Sequence, residues 1–280
     1  MKWLFVLLLA VVIFGSAAFF GYNLILKPEL AVRAEQKGEV PEEPRIDISL
    51  PEFQAAATLR QEGKLAEARA ALSAFLQKYP NSSRSENAKD LLGDVNMDIL
   101  LSKYPSPEKK EYIVRRGDVL ARVATKNKTT PELIMRTNNL HGTMLHEGER
   151  LLVSNPEFSL FIQRKDQSIV LLNKGTFFKR YRARSAKLNP KQPPRVTTRV
   201  AEMMAWRDGK RVGFGTKEYI GSARWIRLAT PGYVLFTQPT PEMPAPGGVP
   251  VPPNGFGLTQ AEVEELSGLV NSKTAVTITD

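Results

Sequence analysis

The chain contains no cysteine, so it has no disulfide, no thiolate metal site, no cysteine nucleophile and no cysteine to carry a lipid after an export signal. Histidine is nearly absent too. His141 and His146 are the two present, and with no third ligand matched to them they predict surface residues, not a metal site. Acidic residues are in deficit, 29 Asp and Glu against 39 Lys and Arg, and the resulting charge of +10 calls for a polyanionic neighbour. Phospholipid headgroups, anionic wall polymers and nucleic acid all qualify by charge. No nucleic-acid reader motif accompanies the basic residues, and they follow an apolar export-type segment, so no nucleic-acid partner is expected. At 280 residues with 42% apolar side chains, the chain can form several compact units, each with a modest core.

What is present begins with Trp3 to Leu26, which carries no charged residue between Lys2 and Lys27 and is long enough to cross a bilayer as a helix. Ser16-Ala17-Ala18 offers a signal-peptide cleavage site as the competing reading, but Phe19, Phe20, Tyr22 and Leu24 to Leu26 prolong the run beyond a usual signal core. Residues 1–27 are therefore expected to be a transmembrane signal anchor. Residues 28–50 are expected to be a linker, since Pro28, Pro41 and Pro44 stand among charged residues. Residues 51–105 predict helices. Ala55, Leu59, Leu65, Ala68, Leu72, Phe75 and Leu76 recur at spacings of three and four, and Ser85 to about Lys103 continues with Ala88, Leu91, Leu92, Val95, Ile99 and Leu100. The run Gly63-Lys-Leu-Ala-Glu-Ala-Arg-Ala-Ala-Leu with Phe75-Leu-Gln-Lys-Tyr-Pro resembles a tetratricopeptide repeat. So short an array predicts a helical spacer or a dimerising hairpin, not a peptide groove.

Residues 111–154 read as β-α-α-β. Tyr112-Ile-Val alternates into Arg115-Arg-Gly-Asp118, whose Gly-Asp turn is expected to cap a helix bearing Leu120, Val123 and Ala124. Thr130-Pro131 then opens a second helix that ends at Asn138. Leu145, Gly148, Leu151 and Val153 close with a turn and a strand. Tyr112-x-Val114-x-x-Gly117-Asp118-x-Leu120-x-x-Val123-Ala124, Leu133, Asn138-Asn139-Leu140 and Leu145-x-x-Gly148-x-x-Leu151-x-Val153 resemble the LysM family in order and spacing. The resemblance implies two helices over a two-stranded sheet and a shallow groove for N-acetylglucosamine-containing glycans. Carried onto this chain, the groove takes Gly117, Asp118, Val119 and Leu120 from one loop and Asn139, Leu140, His141 and Gly142 from the other. Backbone groups of such loops suit acetamido groups, with Leu120 and Leu140 against methyl and ring faces. Gly117, Asp118 and Asn138 also have a purely structural reading as turn and cap residues, and Val119 stands where the family usually carries a hydroxyl.

Residues 157–280 turn to strand character: Phe158 to Ile162, Ser168 to Leu172, Thr176 to Ala183, Glu202 to Trp206, Tyr219-Ile220, Arg224 to Leu228, Tyr233 to Thr237 and Ala275 to Ile278. One helix, Thr259 to Val270, opens with a Thr-x-x-Glu capping box. The opening hairpins, Ile220-Gly-Ser-Ala-Arg-Trp-Ile with Gly232-Tyr233, and Glu262-Val-Glu-Glu-Leu leading to Lys273-Thr-Ala-Val-Thr-Ile, resemble an L,D-transpeptidase domain of the YkuD type. That family works through a cysteine acyl-enzyme. Its His-Gly pair is replaced here by Phe236-Thr237, and its nucleophile motif by Pro253-Asn-Gly-Phe-Gly257, with Gly255 at the cysteine and Gly257 at the arginine. Acyl transfer of that kind needs a thiolate and its base, and the chain has neither after His146. Ser222 and Thr259 are the substitute nucleophiles to consider. The segment Pro239 to Pro253, with seven prolines, is expected to bridge strands, and the basic run Lys174 to Arg199 to form a solvated face or one drawn to anionic lipid or wall polymer.

The sequence thus predicts a multidomain α+β chain comprising a transmembrane helix, a short TPR-like helical region, a βααβ LysM module and a mainly β domain without catalytic residues or cofactor. Its expected partners are peptidoglycan glycan strands, the cytoplasmic membrane through the N-terminal helix, and envelope proteins. Its expected place is the bacterial envelope, anchored in the inner membrane with the soluble parts outside the cytoplasm. The alternatives are a peptidoglycan-remodelling enzyme with a non-cysteine nucleophile and an envelope assembly scaffold.

Overall fold

The computed structural model describes residues 27, 47–104, 106–189, 193–239, 252 and 254–280. The chain divides into two units, Met1–Ile48 and Ser49–Asp280. The expected anchor, nearly all of the linker and most of the proline-rich segment lie outside the described residues. No helix among the described residues is long and apolar enough to cross a membrane.

The second unit mixes helices and strands. It starts with three helices, α1 (Leu50–Gln61), α2 (Leu65–Lys78) and α3 (Ser85–Leu101). Gly63, at φ +74°, makes the turn between the first two, a conformation in which a side chain is strained. Their apolar faces bury Ala56, Ala68, Leu72, Phe75, Ala88 and Val95 in a core of their own.

The βααβ unit follows as β1 (Lys109–Ile113), α4 (Leu120–Lys126), α5 (Pro131–Asn138) and β2 (Arg150–Ser154). The two strands pair antiparallel, Tyr112 opposite Leu151. Val114, Leu120, Val123, Ala124, Ile134, Leu151 and Val153 fill the small core beneath the helices.

The rest is one long sheet. Its strands are β3 (Phe158–Gln163), β4 (Ser168–Asn173), β5 (Thr176–Arg182), β6 (Ser185–Lys187), β7 (Arg195–Arg207), β8 (Lys210–Val212), β9 (Ala223–Leu228), β10 (Val234–Thr237), β11 (Gly255–Leu258) and β12 (Ala275–Thr279). They run in the order β5-β4-β3-β12-β7-β9-β10-β11-β6, with β8 paired to β7. Helix α6 (Gln260–Leu269) joins β11 to β12 and drives Val263, Leu266 and Leu269 into the core made by the sheet. Thr259 caps it with Glu262 in the expected reciprocal arrangement.

Two expectations change. Tyr219-Ile220 is not a strand: Lys217–Tyr219 form a 3₁₀ turn. Tyr219 is covered because its ring lies 4.2 Å from the Arg224 guanidinium, and burial of that kind mimics a strand position without needing a ladder. The helical region is not a detached spacer either. Helix α3 lies along β5, the strand at one edge of the sheet, where Asn96 Nδ2 donates to the Phe178 carbonyl at 2.8 Å. Gly93 permits the approach, since a Cβ there would stand 3.2 Å from the Lys179 Cα. A covered edge cannot template further strands.

The same contact reassigns three cations of the basic run. Arg180 and Arg182 both pair with Glu86 and Asp90 of α3, and Lys179 reaches Asp94 at 3.3 Å and Glu265 at 3.0 Å. These cations are neutralised within the chain and are not free to face a polyanion. Periodicity located α3 and β5, but which acidic helix face would meet which basic strand is a long-range fact that no local pattern carries.

Candidate functional site

The first loop of the βααβ unit is a four-residue turn built by backbone geometry. Asp118 N donates to the Arg115 carbonyl at 3.0 Å, and Gly117 sits at φ +80° in the third position, where a left-handed residue is needed. Nothing lies within 4 Å of where a Gly117 Cβ would be, so this glycine serves conformation and leaves open space. The Asp118 carboxylate does not cap α4 as expected. Val119 is the N-cap residue, without a side-chain bond, and Asp118 Oδ2 instead accepts from Arg115 N and from the Tyr112 hydroxyl, each at 2.8 Å. Those two bonds hold its carboxyl below the ordinary carboxylate range, the backbone one foremost. The hydrogen bond to Asp118, ahead of burial, raises the Tyr112 phenol in turn.

The second loop begins at the end of α5. Asn139 adopts the left-handed conformation, φ +55°, and terminates the helix. Asn138 is structural: its Oδ1 accepts from Leu152 N and its Nδ2 donates to Leu152 O, both at 2.8 Å, so its amide satisfies the backbone of β2. Of the eight groove residues expected from sequence, Gly117, Val119, Asn139, His141 and Gly142 are exposed, and Asp118 and Leu140 are half-buried. Leu120 is placed differently. It is 2% exposed, inside the small core, so only its backbone faces the loop. A residue at the first position of a short amphipathic helix is drawn inward with that helix's apolar face. The apolar surface near these loops comes instead from Val119, 50% exposed, and Met144, 77% exposed. His141 and His146 are exposed, and among the described residues no group of three His, Cys, Asp or Glu could hold a metal ion.

Sequence reasoning missed how α5 is shared. Ile134 points into the small core, while its neighbour Leu133 belongs to the large one with Met97 and Leu100. The N-cap Thr130 accepts from Leu133 N at 3.0 Å and donates to the Gly268 carbonyl in α6. Glu132 accepts from Arg224 Nη1 at 2.9 and 3.0 Å and from the Tyr219 hydroxyl at 3.0 Å. Arg224 also donates to Ser267 Oγ at 2.6 Å. Both ionic partners are nearly closed off, at 5% and 15% side-chain exposure. Burial is the main reason the Tyr219 phenol is pushed far up, with the Glu132 charge second. The one available signal was an acid in the first turn of α5, and that reads equally well as a helix-dipole residue.

The positions that the resemblance aligns with the transpeptidase cysteine, Gly255, and with its arginine, Gly257, have no room for a side chain as the chain stands. A Cβ on Gly255, at φ +143°, would stand 2.2 Å from the Val234 carbonyl oxygen. One on Gly257 would meet Gln238 Oε1 at 2.1 Å and Ser185 Oγ at 2.5 Å, two atoms bonded to each other across it at 2.5 Å. The hydroxyls weighed as substitutes are engaged in local structure. Ser222 is fully buried and donates to the Tyr219 carbonyl at 2.8 Å. Thr259 Oγ1 lies 2.6 Å from Glu262 Oε2, a carboxylate neighbour, but one that belongs to the α6 cap.

The LysM domain family model matches residues 112–154. No curated protein matches the chain. Among solved structures the chain is similar to L,D-transpeptidases at low scores. One from Mycobacterium smegmatis has a TM-score of 0.31 and 12% identity, covering 48% of this chain and 64% of that one. One from Xylanimonas cellulosilytica has 0.29 and 16%, covering 45% and 61%. L,D-transpeptidase 1 from Mycobacterium tuberculosis has 0.28 and 7%, covering 48% and 68%. The match thus spans just under two thirds of the first of these.

Proposed function

We propose that this chain is a non-catalytic peptidoglycan-binding protein of the bacterial cell envelope. In this reading residues 111–154 hold N-acetylglucosamine-containing glycan between the loops 117–120 and 139–142, and residues 1–27 anchor the chain in the inner membrane. Residues 28–50 are then a linker, 51–105 a helical region and 157–280 a transpeptidase-like domain that has lost its chemistry. The observation that carries the reading is the LysM match over residues 112–154, together with the exposure of Gly117, Val119, Asn139, His141 and Gly142. Within the groove Leu120 contributes backbone alone, and Val119 supplies the apolar contact on the first loop.

The non-catalytic part is supported by the missing cysteine, by the lack of histidine beyond His146, and by the crowding at Gly255 and Gly257. A cysteine side chain at either glycine would have no room without moving backbone or the Ser185–Gln238 pair. The anchor is supported by the uncharged stretch from Trp3 to Leu26.

Co-sedimentation of the detergent-solubilised full chain with purified sacculi tests both parts. The chain is expected in the pellet, and Val119→Asp is expected to release most of it while the fold survives. Retention unchanged by that substitution would sink the groove assignment. New soluble muropeptides in the supernatant would sink the non-catalytic one.

A further inference from the structure

Residues 112–154 carry seven Lys and Arg against four Asp and Glu, and all of those acids but Glu147 are engaged in bonds within the chain. Glu132 is buried against Arg224 of the sheet domain. Asp118 is turned into its own loop by Tyr112 and the Arg115 amide, and Lys126 sits over the Tyr112 ring at 5.4 Å beside it. Glu149 accepts from His146 N at 3.1 Å. Arg115 and Arg116, by contrast, are exposed, and no carboxylate among the described residues pairs with either. They immediately precede Gly117, the first residue of the proposed groove. Arg122 is fixed at the same loop, its Nη1 donating to the Gly117 carbonyl at 3.2 Å. The turn therefore presents two exposed guanidiniums outside any ion pair among the described residues and a third held at its mouth, with the loop's one carboxylate bonded to the Tyr112 hydroxyl and the Arg115 amide.

We infer that Arg115, Arg116 and Arg122 form a cationic rim that takes the carboxylates carried by the glycan, so that the module selects carboxylate-bearing peptidoglycan over neutral N-acetylglucosamine polymer. The inference rests on the groove reading above and adds the ligand's charge to it. Arginine suits the task, because its planar fork meets a carboxylate with two parallel hydrogen bonds. The two closing bonds of the turn use the Arg115 backbone and Asp118, so trimming the arginine side chains leaves the turn intact.

The test compares affinities of the detergent-solubilised full chain for three probes. These are an N-acetylglucosamine pentamer, soluble peptidoglycan fragments of matched sugar length with ionised stem-peptide carboxylates, and a polyglycerol phosphate. The fragments are expected to bind at least about tenfold tighter than the pentamer at low salt. That ratio is expected to approach one in 1 M salt, where screening acts over about 3 Å. R115A/R116A is expected to bring the ratio to about one at low salt, while Lys165→Ala, at an exposed turn of the sheet domain, leaves it unchanged. Equal wild-type affinity for pentamer and fragments overturns the rim and keeps the groove. A ratio that survives R115A/R116A also overturns it. Tighter binding of polyglycerol phosphate than of the fragments overturns the assignment to carboxylates. Binding of none of the probes overturns the groove itself.

Discussion

Gly117 and Gly255 are both glycines at positive φ, one in the small βααβ unit and one in the long sheet, and they serve opposite ends. At Gly117 the missing side chain frees the backbone conformation, and the space beside it stays open. At Gly255 the missing side chain lets two strands close until the Val234 carbonyl occupies the place of a Cβ. One loop is open because its turn is satisfied by its own backbone and one inward carboxylate. The other is shut because β10 and β11 pair directly, Leu235 opposite Phe256, where the family resemblance would put a nucleophile. A glycine therefore tells little about function until its surroundings are known.

The contrast can be broken in order of expected effect. The largest concerns the link between the two regions. Glu132→Ala strands a buried Arg224, and loss of one partner from a buried pair costs about 3–5 kcal/mol, readable as a lower urea midpoint of unfolding. A loss below about 1 kcal/mol would mean that α5 is not held as described. Next, Gly255→Ala adds steric collision to backbone strain, for a loss of about 2–4 kcal/mol in the same assay. Gly117→Ala brings strain alone and should cost about 1 kcal/mol. Equal costs at the two glycines would erase the comparison.

The smallest effect is one of pH. A hydrogen bond from Lys89, followed by the Arg180 contact, holds the Glu86 carboxyl at about 2 rather than its ordinary 4.5. A lowered folded value means that its stabilisation is complete above about 4.5 and is lost as pH falls toward about 2. Glu86 is about half exposed, so screening keeps the effect small. Thermal melts of wild type and Glu86→Gln should differ slightly at neutral pH and converge near pH 2. A gap that persists unchanged in acid would show that the charge of the Glu86 carboxylate, shared between Lys89 of α3 and Arg180 of β5, is not what stabilises the fold there.

Legibility from sequence followed distance along the chain. The turn at Gly117, the Thr130-Pro131 helix start, the helix end at Asn138 and the Thr259–Glu262 cap are each written within a few neighbouring residues, and each appears in the structure. Strands β6 and β8, three residues apiece, carried too little alternation to be read. Strand β11 was obscured because Gly255-Phe256-Gly257 lacks the β-branched residues that mark a strand. In the candidate groove, Gly117, Val119, Asn139, His141 and Gly142 are exposed. Leu120, expected to meet the ligand with its side chain, is buried, because a loop position and a core position there differ by a single residue.

The sequence by itself determined the helices and most of the longer strands, that cysteine chemistry is closed to this chain, and that residues 112–154 carry a LysM pattern, because composition, capping and periodicity are local properties. Only the tertiary structure decided which charges stay free. Glu132 meets Arg224 across 92 positions and Glu86 meets Arg180 across 94, so acids that look available in the sequence are consumed, and the arginines at the open turn are left over. Pairing at such separations depends on which faces the packed core brings together. No count of charges along the chain contains that choice.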